Sequence, residues 1–143
     1  MNCPGGLSHA LPLASNLYEL YQPQGVWVLG LSTVFEDFSL NTEGNTRKLI
    51  EEGYLVGETA RYFQRKGIER YEEPIPFPVA MDAVDPEGIG QIFAKNHFRG
   101  TPTWVLFDSG FEVDVTWFRH KDRQEVMRLI DGILKQSAVN PIR

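Results

Sequence analysis

The chain has one cysteine, Cys3, and it stands in the stretch Cys3-Pro4-Gly5-Gly6 directly before a segment with helical periodicity. A thiol in that place faces unpaired backbone N–H groups and the positive end of the helix dipole. Both favour the thiolate, the form that attacks a disulfide or takes up glutathione. The competing reading is a frayed cysteine near the start of the chain with no chemical role. A second stretch with possible chemistry is Gly100-Thr101-Pro102-Thr103, which runs straight into Trp104-Val105-Leu106-Phe107. A proline at the mouth of a strand donates no ladder hydrogen bond and suits only its first residues. A cis bond before Pro102 would turn the chain sharply there, whereas a trans proline would simply end a loop.

Other chemistry has less support. His9, His97 and His120 are dispersed, and one cysteine is too few for a structural zinc site. His9 is the histidine that could serve Cys3 as a base, against the plainer reading of a polar residue on an exposed helix face. Trp104 could border a groove beside Pro102 or simply pack in the core. Glu36, Asp37, Glu51 and Glu52 read as a solvated acidic face rather than paired catalytic carboxylates. No cofactor and no metal are expected.

The elements that must position these residues follow from periodicity. With 143 residues, 42% hydrophobic and 23% charged, the chain is sized for one domain spanning 1–143 with one core. Residues 7–22 carry Leu7, Leu11, Ala14, Leu17 or Tyr18, and Tyr21 at helical spacing, with Pro12 expected to kink the helix. The runs 26–31 and 103–107 are apolar throughout and read as buried strands, the second of them central. Between them, helices are expected near 45–53 and 58–66, the first capped by Asn45-Thr46, each stopped by glycine. A stiff proline-rich linker and a short edge strand at 79–81 follow. Asp85-Pro86 is expected to open a helix bearing Ile89, Ile92 and Phe93. Asp108-Ser109-Gly110-Phe111 is a hairpin turn into a half-buried strand. Asp122 and Glu125 form a capping box for a last helix with Val126, Leu129, Ile130, Ile133 and Leu134 inward. The tail from Gln136 is expected to be loose. The crossover from the first strand is far longer than the dozen or so residues such a unit needs, so it carries an insertion, expected to act as a lid or contact surface.

These pieces resemble a known family. Cys-Pro-x-x before a proline-broken helix is followed by Val-Leu-Gly-Leu-Ser-Thr, by Phe-Pro-Val-Ala-Met-Asp and by Gly-Thr-Pro-Thr-Trp-Val-Leu-Phe-Asp-x-x-Gly. In that order they resemble the thioredoxin-like superfamily, in its redoxin or TlpA-type thiol-disulfide oxidoreductase flavour, over residues 2–135 apart from the insert at 35–72. The resemblance implies an α/β three-layer sandwich with a mixed sheet. It also implies a cis Thr101–Pro102 bond beside the reactive cysteine, Cys3 as the nucleophile, and Thr101 and Pro102 as the contact to substrate backbone. Two departures matter. The family's second cysteine falls on Gly6, so only a monothiol cycle, resolved by glutathione or a protein thiol, is open to this chain. A peroxidase reading fails at the same position, because Gly6 also occupies the place of the peroxide-reacting cysteine. The second reading is a non-catalytic thioredoxin-fold module that binds extended polypeptide at Thr101-Pro102.

The other departure is a strand. The family sets a central strand directly before the cysteine, and only Met1 and Asn2 precede it here. The runs 26–31 and 103–107 would flank it. They could pair directly, receive a strand from another chain, or keep open edges; a homodimer that shields the edges is the expected outcome. The net charge of −5, without a basic cluster, argues against nucleic acid and anionic membrane as partners. No apolar run approaches the roughly 18 residues of a membrane span, and no signal peptide is recognisable. With a single cysteine, a cytoplasmic protein is expected.

Overall fold

The computed structural model describes residues 2–34 and 37–139, with the backbone alone at Val139. Glu36 therefore lies outside the described residues. The chain divides into two units, Met1–Phe98 and Arg99–Arg143.

In the first unit a helix starts at Pro4 and runs to Tyr21. Its first part, Gly6–Ala10, is a π-helical turn, and the rest, α1, is Leu11–Tyr21. The wide turn sits where Pro12 requires it. A proline cannot bond the carbonyl four residues back and its ring crowds that carbonyl. Here Leu11 N–H reaches Gly6 O, five residues back, which opens the turn ahead of Pro12. The expected kink is thus a local widening. Leu7, Ala14, Leu17 and Tyr21 form the buried face.

The segment after α1 departs from expectation. Only Gly30–Ser32 forms a strand, β1. Its side chains alternate, and the outward set is exposed: Trp27 at 74%, Leu29 at 66% and Leu31 at 38%. The run 26–31 is therefore not a buried strand, because Trp27, Leu29 and Leu31 on one side of it are exposed. β1 pairs in parallel with β2, Val79–Met81. Gly30 leaves room there, since a Cβ would lie 3.1 Å from both Phe77 Cε2 and Val79 Cγ2.

The insert holds α2, Glu43–Glu52, and α3, Gly57–Gln64. Thr42, not Asn45, caps α2: its Oγ1 accepts from Asn45 N–H at 3.2 Å, while the Asn45 side chain donates to Leu40 O at 2.9 Å. Gly53 ends α2 with φ 68°, the left-handed turn that glycine takes without a Cβ penalty. The insert contributes to the core. Leu49, Leu55, Phe63 and Tyr71 close with Leu7 into one buried cluster, with Leu11, Ala60, Tyr62 and Ile75 packed against it. The proline-rich linker is pinned by Ser15, whose hydroxyl donates to Pro74 O at 2.9 Å.

Asp85 does not open a helix. Its Oδ1 accepts from Glu87 N–H and Ile89 N–H, both at 2.9 Å, and Gly88 follows at φ 87°. This is a side-chain-closed turn. The helix, α4, is Gln91–Lys95. The buried Asp82 caps it, taking Ile92 N–H at 3.0 Å, Phe93 N–H at 3.1 Å and the Thr33 hydroxyl at 2.9 Å.

In the second unit β3, Thr103–Phe107, pairs antiparallel with β4, Val113–Phe118. β3 is half-buried and Phe107 is exposed, so it is not a fully buried central strand; β4 is its one ladder partner among the described residues. The hairpin is closed by Asp108, whose Oδ1 accepts from Gly110 and Glu112 N–H. Trp104 stacks on Trp117 with 5.6 Å between ring centroids. The last helix, α5, is Arg123–Val139, longer than the loose tail from Gln136 suggests. Asp122 caps it by accepting from Gln124 and Glu125 N–H. The Glu125 carboxylate pairs with Lys121. Val126 and Ile130 are buried on its inner face.

Candidate functional site

Cys3 is the N-cap of the first helix. Its carbonyl accepts from Leu7 N–H at 3.2 Å, and its Sγ accepts from Gly6 N–H at 3.3 Å. Sulfur thus does what a serine or aspartate oxygen does at an ordinary N-cap. Pro4 follows at the first helical position, where its missing N–H costs nothing. The thiol is half-buried. A helix-terminal amide and the positive end of the helix dipole thus face the sulfur.

Gly6 faces it. A Cβ built on Gly6 lies 3.5 Å from both Cys3 Cβ and Cys3 Sγ. That is an ordinary contact, so a small side chain fits opposite the thiol.

The residue before the thiol is held from a distance. Asn2 Oδ1 accepts from Glu58 N–H at 2.5 Å and Thr59 N–H at 3.4 Å, and its Nδ2 donates to the Asp37 carboxylate. Asn2 N–H donates to Asn41 Oδ1 at 3.1 Å. Asn2 therefore caps α3, whose own N-cap residue, Val56, has no side-chain oxygen to offer. Sequence reading passed over Asn2. An asparagine is a ready cap, but a cap supplied from 56 residues away leaves no local signature.

Further along the first helix, Ser8 donates to Pro4 O at 2.7 Å. Tyr62 accepts from Lys66 Nζ at 2.7 Å. The hydrogen bond from Lys66 holds the Tyr62 phenol below its usual range.

Thr101 and Pro102 belong to the second unit, and the peptide bond between them is cis. The Thr103 hydroxyl donates to Gly100 O at 2.6 Å, and Arg119 N–H donates to Pro102 O at 2.8 Å. The turn is thereby tied to the far end of β4. Each half of the expected site is formed within its own unit. Among the described residues no group of three or more His, Cys, Asp or Glu is arranged to hold a metal, and no helix is long and apolar enough to cross a membrane.

No protein-family model and no curated relative matches the chain. Two solved structures do. A thioredoxin-like superfamily protein is similar at TM-score 0.69 and 24% identity, over 92% of this chain and 73% of that one. A thiol-disulfide isomerase from Corynebacterium glutamicum is similar at TM-score 0.71 and 24% identity, with the same coverage of each chain. The protein thus has an α/β, thioredoxin-like fold.

Proposed function

We propose that the protein is a monothiol thiol-disulfide oxidoreductase with Cys3 as its nucleophile. The observation that carries this reading is the hydrogen bond from Gly6 N–H to Cys3 Sγ at the head of the helix. The Cys3 thiolate attacks one sulfur of a substrate disulfide; the Cys3–S–S–substrate bond forms and the other sulfur leaves as thiolate. With no second cysteine in the chain, an external thiolate, of glutathione or a protein, attacks the substrate sulfur of that mixed disulfide. It takes that sulfur into a new disulfide and returns Cys3 as thiolate. Thr101 and Pro102 serve as the contact to substrate backbone in this reading, and the active species is a homodimer. A binding module without redox activity is the second reading, favoured by Gly6 standing where a resolving thiol would be.

The test is alkylation. Cys3 should react with iodoacetamide at pH 7 faster than the thiol of an unstructured peptide, and should exchange with oxidised glutathione to form a mixed disulfide that reduced glutathione reverses. A rate no better than the peptide's leaves the binding module as the surviving reading. Gly6→Cys sharpens the test. The Cβ separation of 3.5 Å lies at the lower edge of the roughly 3.5–4.5 Å that disulfides span. The variant should therefore form the internal disulfide and gain insulin-disulfide reductase activity.

A further inference from the structure

We infer that Asn2 is a positioning residue for Cys3, acting by docking into the N-terminus of α3; this rests on the monothiol reading above. Residues just outside a helix are free to fray unless something ties them. Asn2 is tied at both ends of its side chain and at its own N–H, to Glu58, Thr59, Asp37 and Asn41. All four partners belong to the insert. α3 is in turn held in the core by Phe63, which shares one buried cluster with Leu7 of the Cys3-bearing helix. Asn2 and Leu7 therefore bracket Cys3, and both are held by the same insert.

The receiving slot is specific. Gly57 has φ 54°, and a Cβ there would fall onto the Asn2 side-chain oxygen and within 2.7 Å of Leu40 Cδ1. Only glycine both adopts that backbone and leaves the space. Asn2 and Gly57 thus act as a matched pair. Without the pair, residues 2 and 3 can swing away from the helix, and Sγ leaves the Gly6 amide for water. The thiolate then loses both the hydrogen bond and the helix field.

The experiment is iodoacetamide alkylation of the whole protein across pH, with circular dichroism as the check on folding. Asn2→Ala should slow the reaction at pH 7 by roughly three- to tenfold, the scale of one ordinary hydrogen bond, and move the pH profile to the alkaline side. Asn2→Ser, which keeps an acceptor oxygen, should recover part of the rate, and it serves in place of alanine if that variant does not fold. Gly57→Ala should slow the thiol as much as Asn2→Ala, and the double variant should be no slower than either single one. An Asn2→Ala protein with the wild-type rate and profile overturns the inference and leaves Asn2 a structural tether. Additive slowing in the double variant overturns it as well, since the two residues then act separately. A wild-type protein no faster than a free peptide thiol removes the monothiol reading itself, and this inference with it; that result is distinct because it needs no variant.

Discussion

Two stretches of the first unit make an instructive contrast. The insert, α2 and α3 with their flanks, is the more polar of the two, yet it supplies Leu49, Leu55, Phe63 and Tyr71 to the buried cluster. The run 26–31 has six residues, five of them large and apolar, and leaves Trp27, Leu29 and Leu31 exposed. The difference is geometric. A helix buries one stripe, and a few apolar side chains cover it; for α3 the buried Phe63 lies in a cluster with Leu7, Leu49, Leu55 and Tyr71. An extended segment sends side chains to two faces and hydrogen-bonding groups to two edges. β1 has one strand partner among the described residues, β2. Apolar density tells how much a segment would gain by burial, not whether its partners are there.

Cutting the insert's core should have the largest effect. Phe63 is 8% exposed and meets Tyr71 and Tyr62 edge-to-face, at centroid distances of 6.1 and 5.4 Å. Phe63→Ala should cost about 3–5 kcal/mol, the range for truncating a buried aromatic, read as a fall in the urea midpoint. Because Leu7 shares the cluster, the same variant should also slow Cys3 alkylation. If the midpoint holds, the insert is a dispensable appendage and the contrast collapses.

Alkaline titration gives an intermediate effect. Tyr71 is 7% exposed, and its hydroxyl has no hydrogen-bond partner among the described residues. Burial, and after it the charge of Glu73, push the phenol from 10.0 up to about 12. The folded state therefore holds this proton to higher pH than the unfolded chain. Stability from this source is complete below about pH 10 and is lost as pH rises from about 10 toward 12, a loss of about 2–3 kcal/mol for two units. Tyr71→Phe removes the titration and the orphaned hydroxyl together. It should unfold less steeply in alkali and be no less stable at pH 7. An equal alkaline loss in Tyr71→Phe would mean that another group sets it.

The contrast also marks what was legible in the sequence. The helices were, because a 3.6-residue stripe and its glycine stops lie within one segment; α2, α3 and α5 fall close to where periodicity puts them. The order of strands and the Asp108 hairpin were legible for the same reason. Caps closed from a distance were not: Asp82 for α4 and Asn2 for α3 lie outside the helices they serve, and Asp85 offers a better local cap pattern than Asp82 does. Strand burial was illegible too, since a run of valine, leucine and tryptophan reads alike whether its second face is covered or bare. At the candidate site, Cys3 at a helix head could be read directly, whereas the tether that holds it could not.

The smallest expected effect bears hardest on the exposed stretch. Leu29 is 66% exposed, and surface substitutions usually stay within about 0.5 kcal/mol. Leu29→Ser should thus leave the urea midpoint of dilute protein almost unchanged, while Phe63→Ala moves it far. The homodimer proposed above covers the same residue if the second copy packs on this face as well as on the strand edges. Sedimentation at micromolar concentration should then show a larger monomer fraction for Leu29→Ser than for wild type, because removing apolar area from an interface weakens association. A drop of several kcal/mol in dilute protein would show that the chain itself buries Leu29, and the contrast between the two stretches would be lost. An unchanged midpoint with an unchanged sedimentation profile would keep the contrast and remove the dimer, leaving the face of β1 bare in solution.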